Sequence, residues 1–377
     1  MHVAHLQLAD FRSYAELDLG LTAGVTTFVG RNGQGKTNLV EAIRYISTLS
    51  SHRVASDVPL VRAGSERAII GAKVAKGDRS LSLEVTLQPG KAKTARLGRS
   101  PARPRDLVGI LRTVIFAPED LSLVKGDPSG RRTFMDELCV ALSPAFAGDL
   151  SDYDRVLRQR TSMLKTARNA RGDLTTLDIW DEKLAEVGGR IIAARRRALS
   201  RLAPHVAHAY QDVAPGAEEC GLSYATALEA QEALPDDAPG IAVRLLAHLG
   251  EIRAQEIERG VCLAGPHRDD MEIHIGALPA KGYASHGESW SCALALRLGS
   301  YDLLTDDDGP DAGDDGEPVL ILDDVFAELD SARRHALAQR LAGANQVLIT
   351  AAVGEDVPSV LAGRVLRVGD GTVTSDE

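Results

Sequence analysis

At 377 residues the chain exceeds one typical domain and suits two, so it can bury a large core without disulfide or metal staples. Hydrophobic residues at 44% and charged residues at 25% are ordinary globular proportions, while aromatic residues at 4% leave few rings, which disfavours single-strand binding by base stacking. A formal net charge of −10 would speak against a nucleic-acid partner if it were evenly spread, and it is not.

Val3 to Leu8 alternates apolar and polar residues as a half-buried strand does, and Val25 to Val29 predicts a second strand leading into a glycine-rich turn. Asn38 to Leu49 reads as a helix. Ala68 to Val74 and Leu81 to Leu87 are expected strands of a meander, and Thr113 to Phe116 is a short buried strand ended by Pro118. Between them Lys91 to Arg112 carries seven basic residues against Asp106 alone. From Arg131 the pattern turns helical, with long segments near Ser143 to Ala170 and Leu177 to Tyr210 on either side of a polar break around Gly172. On the second segment Leu184, Val187, Ile191, Ala194, Ala198 and Leu202 form one apolar stripe, which a short antiparallel hairpin would bury. About two heptads is too little for a long rod. Tyr153 to Arg201 is basic as well, with twelve Lys or Arg against six Asp or Glu; the bland reading of any such run is a solvated helical face.

After a Pro- and Ala-rich stretch near Ala233 to Gly240 comes a helix, Ile241 to Gly260, and strand signals resume at Met271 to Ile275. Asp306 to Glu317 is a Gly- and Asp-rich loop ahead of the apolar strand Val319 to Leu322, within a stretch, Asp302 to Asp330, of twelve acidic residues and no basic one. Helix Ser331 to Leu341 and strand Gln346 to Thr350 close the pattern. The expected fold is α/β, with a core made of 1–125 and 259–377 and a mainly helical arm, 126–258, inserted between them. Cys139, Cys220, Cys262 and Cys292 form no CxxC pair, against both a disulfide framework and a zinc knuckle. No leader-like segment opens the chain and no run of about eighteen apolar residues occurs, so no membrane span is expected and the expected location is cytoplasmic.

Gly30, Arg31, Asn32, Gly33, Gln34, Gly35, Lys36 and Thr37 fit GxxxxGK[ST] between an apolar strand and a helix start, the context a P-loop needs. Backbone N–H groups there close around phosphate oxygens, Lys36 neutralises the β and γ phosphates of ATP, and the Thr37 hydroxyl can ligate Mg²⁺. The metal needs a carboxylate at the end of a neighbouring strand, and Asp323 stands directly after Val319 to Leu322. Asp324, beside it, is the candidate to orient or deprotonate the attacking water; a helix N-cap is the plain alternative for this pair. Ser285-His286-Gly287, heading a helix from Ser291 to Leu304, resembles the ABC signature turn, which offers a hydroxyl and N–H groups to a γ-phosphate held by the other subunit. Glu328-Leu329-Asp330 resembles the D-loop that crosses such a dimer.

Taken together the motifs resemble the RecF family over essentially the whole chain. Leu8 to Tyr14 is similar to the family's opening strand and turn, with Arg12 near the nucleotide phosphates. Phe116 to Gly126, Arg131 to Asp136, Gly265 to Asp270 and Ser285 to Trp290 complete the likeness. The resemblance implies an ABC-type P-loop ATPase head without a long coiled coil, which dimerises on ATP, binds single-stranded, duplex or gapped DNA, and works with RecO and RecR in gap repair. The basic stretches Lys91 to Arg112 and Tyr153 to Arg201 are the expected DNA contacts, through phosphates rather than bases. Asp324 in place of Glu, and Thr350-Ala351-Ala352 without a switch histidine, imply slow hydrolysis suited to a timed switch. An SMC-like structural clamp and the ATPase subunit of a membrane transporter are the rival readings. The short arm stands against the first, and the basic arm and missing histidine against the second.

Overall fold

A computed structural model describes residues 1–169, 175–229, 233–307 and 316–375. Strands β1 (His2–Phe11), β2 (Tyr14–Gly20) and β3 (Gly24–Val29) lead into helix α1 (Lys36–Thr48). A meander follows as β4 (Ala68–Lys76), β5 (Arg79–Leu87), β6 (Thr94–Leu97) and β7 (Ser100–Ala102), and then β8 (Thr113–Phe116). Helices α2 (Pro128–Leu142), α3 (Phe146–Asn169) and α4 (Thr175–Val213) precede β9 (Cys220–Ala225), α5 (Ala238–Arg259), β10 (Asp270–Ile275) and β11 (Leu278–Pro279). The chain continues through α6 (His286–Thr305), β12 (Val319–Asp323), α7 (Ser331–Leu341), β13 (Gln346–Ala351), β14 (Arg364–Gly369) and β15 (Thr372–Ser375).

Two compact units result: Met1–Leu121 with His205–Ala217 and Ser285–Glu377, and Ser122–Pro204 with Glu218–Ala284. The second unit thus runs past 258, where composition alone ends the arm, because β10 pairs antiparallel with β9 across the sequence between them. In the first unit one sheet has the order β15-β14-β3-β13-β12-β8, parallel from β14 to β8. Strands β8, β12 and β13 are buried along their whole length, which is why they read as continuous apolar runs rather than alternating ones. The other sheet, β2-β1-β4-β5-β6-β7, is antiparallel, and β4 alternates inward and outward residues. Helix α1 packs against strands of both sheets, burying Leu39, Val40, Ile43, Tyr45 and Ile46. Gln346 ties the two sheets together: its Oε1 accepts from the Val3 N–H at 2.8 Å and its Nε2 donates to the carbonyls of Val3 and Thr22, each at 2.9 Å.

In the second unit the α4 stripe is buried at Leu184, Val187, Ile191, Ala198 and Leu202, with Ala194 half-buried. A two-helix hairpin does not account for it. A methyl group added at Gly188 would stand 2.8 Å from Leu245 of α5 and 3.4 Å from the Tyr153 ring of α3, and one at Gly189 would stand 2.6 Å from the Ala238 carbonyl. Helix α5 therefore lies close against α4 as α3 does, and glycine is what the close approach requires. The break around Gly172 and most of the acidic loop, 308–315, lie outside the described residues.

Candidate nucleotide-binding site

Strand β3 lies between β14 and β13 in the parallel sheet, and its carboxyl end, with those of β13 and β12, forms the edge where open α/β sheets bind ligands. The P-loop leaves that edge. Gly35 sits at φ 104°, and a Cβ there would fall 2.8 Å from Ser13 Oγ and 3.0 Å from the Tyr14 hydroxyl. At Gly30 a Cβ would fall 2.2 Å from the Val368 carbonyl of β14, so the loop can leave the sheet only through a residue with no side chain. Helix α1 then begins at Lys36 with no side-chain cap and no acid in its first turn. Its first N–H groups and the positive end of its dipole face an anion unopposed. Arg31, Asn32 and Gly33 are exposed, whereas Lys36 is buried, its Nζ donating to the Gly30 carbonyl at 2.7 Å and lying 3.3 Å from Asn32 Oδ1. The loop's own acceptors hold the ammonium that phosphate oxygens would take. Gln34 Oε1 accepts from the Asp370 N–H at 2.7 Å, and Asn38 donates to Ser13 at 3.0 Å, bracing the loop from both sides.

Thr37 and Asp323 converge as the motif requires: the Thr37 hydroxyl donates to Asp323 Oδ1 at 3.0 Å. The carboxyl is buried, and burial raises its pKa to about 6, with the charges of Asp324 and Glu119 adding to the rise. Two hard oxygen donors 3.0 Å apart at a carboxylate destabilised by burial fit a divalent cation such as Mg²⁺, whose charge would favour the ionised form further. Asp324 is half-exposed and adopts a left-handed backbone, φ 51°. It stands as N-cap of the short helix that follows, without a side-chain capping bond. A strained non-glycine residue at a ligand-binding edge is a familiar mark of function.

Ser285 is exposed at the N-terminus of α6 and forms a capping box, its Oγ accepting from the Glu288 N–H at 3.2 Å and its own N–H donating to Glu288 Oε2 at 2.8 Å. Asp330 caps α7, accepting from the Arg333 N–H at 2.9 Å, and its carboxylate pairs with the Arg333 guanidinium. Arg333 Nε also donates to Ser291 at 2.9 Å, and a Cβ at Gly287 would fall 2.9 Å from its Nη2. The Ser285 turn and the turn ending at Asp330 are thus joined through one arginine. Its Asp-x-x-Arg spacing at a helix start was the available signal, and the sequence reading did not use it. Among the described residues, no hydrogen bond or ion pair joins 285–291 to 30–37.

Arg12 is held on α1: its Nε and Nη2 bind both oxygens of Glu41, at 2.9 and 2.7 Å, and its Nη1 donates to the Pro59 carbonyl at 3.1 Å. Glu41 is fully buried, and Arg12 is partly exposed.

The basic stretches also divide. In Tyr153 to Arg201, Arg160 and Arg195 are buried in ion pairs with Asp181, Glu256 and Asp136, Arg190 pairs with Asp149, and Arg196 donates to the Pro235 carbonyl. Those four are internal scaffold, whereas Arg155, Arg158, Lys165, Lys183, Arg197 and Arg201 are exposed, as a solvated face would be. Gly265 to Asp270 serves the same scaffold: Asp270 holds Arg131 at 2.7 Å, and His267 meets the Tyr153 hydroxyl at 2.7 Å. In Lys91 to Arg112, Lys93 pairs with Asp57 and Arg112 is buried near Asp307, but Arg96, Arg99, Arg103 and Arg105 remain exposed around β6 and β7.

The chain matches the RecF/RecN/SMC N terminal domain family over residues 2–361. It is 56% identical over 380 residues to the DNA replication and repair protein RecF of Streptomyces avermitilis, covering 99% of each chain. To the RecF protein of Cutibacterium acnes it is 50% identical, covering 100% of this chain and 99% of that one. The solved structure of the recombination mediator protein RecF-ATP in the RecFOR pathway superposes with a TM-score of 0.90 at 28% identity, covering 100% of this chain and 97% of that chain. An SMC head bound to the C-winged helix domain of ScpA superposes at 0.55 with 16% identity, covering 100% and 98% of the two chains, and shares the fold alone. No helix among the described residues is long and apolar enough to cross a membrane.

Proposed function

Because the chain belongs to the RecF family, we propose that it is an ATP-dependent DNA-binding protein of DNA repair and recombination, in which two heads close on DNA around two ATP molecules. The observation that carries the reading is the division of the phosphate-binding groups. Lys36, Thr37 and Asp323 gather at the carboxyl edge of one sheet, while Ser285, Gly287 and Asp330 form a separate exposed surface held by Arg333. A homodimer that faces each P-loop with the other subunit's Ser285 turn completes both sites. Thr37 and Asp323 would hold Mg²⁺, which when bound would supply charge to the phosphates. Asp324 orients the attacking water, and its reach, shorter than that of Glu, makes the chain a weak ATPase, stimulated by DNA, in which ATP acts as a timer on the closed state. The RecFOR pathway named for the structural relative supports RecO and RecR as partners. The SMC-like scaffold is the weaker reading, since the likeness to SMC heads is of fold only.

DNA contact falls to the exposed arginines of β6 and the turns flanking β7, which read phosphates rather than bases. With ATP present, binding to gapped duplex is expected to weaken steeply with salt. Replacing Arg96, Arg99 and Arg105 together by alanine should flatten the slope of log K against log salt by about 2.7, three contacts at about 0.9 each. Fluorescence anisotropy between low and physiological salt measures it. An unchanged slope would remove this surface from the proposal.

A further inference from the structure

We infer that Thr350 is a positioning residue for ATP hydrolysis, its one hydroxyl fixing both the metal-binding carboxylate of Asp323 and the backbone of Asp324. The inference rests on the reading of that edge as the hydrolytic site. Strand β13 stands between the P-loop strand β3 and β12, and Thr350, near its carboxyl end, is the direct register partner of Asp323. The side chain is buried. Its hydroxyl donates to Asp323 Oδ1 at 2.7 Å and accepts from the Asp324 N–H at 2.9 Å. The directions are forced, because an N–H can only donate and an ionised carboxylate can only accept, so the single hydroxyl proton has one destination.

Asp323 Oδ1 thereby receives two hydroxyls, from Thr350 and from Thr37. Only Thr37 sits on the P-loop side. When its oxygen turns to a metal, Thr350 remains to hold the carboxylate's rotamer. At the same time the bond to the Asp324 N–H pins a residue at φ 51°, a conformation that side chains rarely adopt, at the point where the chain leaves the strand. Adjacent carboxylates are so given opposite settings, one buried and one half-exposed. In this chain a threonine, rather than a histidine, links the third strand's end to the hydrolytic residues.

The test compares Thr350→Val, which keeps shape and removes both hydrogen bonds, with Thr350→Ser, which keeps the hydroxyl. In the full chain, Thr350→Val should lower kcat at saturating ATP and Mg²⁺ about tenfold, the effect of one lost charge-assisted hydrogen bond. Affinity for ATP in EDTA should change less than about twofold, because Lys36 and the loop are untouched, whereas the gain in affinity on adding Mg²⁺ should shrink. Thr350→Ser should recover most of both losses. Equal losses in Val and Ser variants with a lowered Tm would assign Thr350 to packing and overturn the inference, as would a Val variant with wild-type kcat and Mg²⁺ response. If Thr350→Val does not fold, the Thr350→Ala and Thr350→Ser pair is read the same way. A wild-type protein that binds ATP but never hydrolyses it would count against the proposed function; the Mg²⁺-dependent affinity of the two variants would still decide the role of Thr350.

Discussion

Replacing Lys36 by alanine is expected to weaken ATP binding about a hundredfold with little change in stability. The ammonium is buried against the Gly30 carbonyl at 2.7 Å and lies beside Asn32, and with ATP bound those bonds are exchanged for phosphate oxygens carrying full negative charge. Losing charge-assisted hydrogen bonds to phosphate costs about 3 kcal/mol, which is about two decades of affinity. The fold should tolerate the change because the carbonyls left behind belong to a loop whose residues Arg31, Asn32 and Gly33 are exposed, where water can replace the ammonium. Titration of a fluorescent ATP analogue, with Tm as the control, measures both. An affinity within threefold of wild type would show that the backbone cradle, not the lysine, dominates phosphate binding.

The second large effect concerns stability. Arg160 of α3 is fully buried with Asp181 of α4 at 2.5 Å and Glu256 of α5 at 2.6 Å, and both carboxylates are fully buried too. The three charges knit three helices of the second unit at one point. Arg160→Ala leaves two buried carboxylates facing each other without their shared cation and should destabilise by about 3–5 kcal/mol, against about 0.5 kcal/mol or less for an ordinary surface change. Part of the loss returns if Asp181→Asn and Glu256→Gln are added, since the uncompensated charges then go. The recovery is incomplete because Asp181 also receives Arg253 at 2.6 Å and Glu256 accepts the Leu263 N–H at 2.7 Å. Urea unfolding of the full chain followed by circular dichroism measures the shift in midpoint. A midpoint unmoved by Arg160→Ala would mean that the triad contributes nothing net.

Much of the head was legible because its central elements obey short-range rules. Thr113 to Phe116 and Ser331 to Leu341 have the expected bounds, and β3, α1, β12 and β13 are displaced by no more than two residues at either end. Continuous apolar runs and a glycine-rich turn suffice for these. Strands β2, β6, β7, β9, β14 and β15 went unread, being short, at sheet edges or rich in small and polar residues, and defined by their partners rather than by their own pattern. The meeting of Thr37 with Asp323 could be expected from spacing, since phosphate and metal chemistry prescribe residue types at fixed offsets. The ion pairs of Arg12, Arg160 and Arg195 could not be, because whether an arginine is exposed or buried depends on carboxylates 29, 96 or 59 residues away. Thr350 was visible only as a missing histidine. Its hydroxyl gains a role from the register that sets it beside Asp323, which no local pattern carries.

The central claim is that each nucleotide site is completed by a second copy of the chain. Light scattering of the full-length Asp324→Asn protein with Mg²⁺ and ATP tests it most directly, since binding is kept and hydrolysis suppressed. The mass should rise from 40.2 kDa to twice that value with ATP and not with ADP, and adding Ser285→Arg, which blocks the opposing turn while sparing the P-loop, should return it to 40.2 kDa. A protein that binds ATP yet stays at 40.2 kDa, or a dimer indifferent to Ser285→Arg, would contradict the shared site.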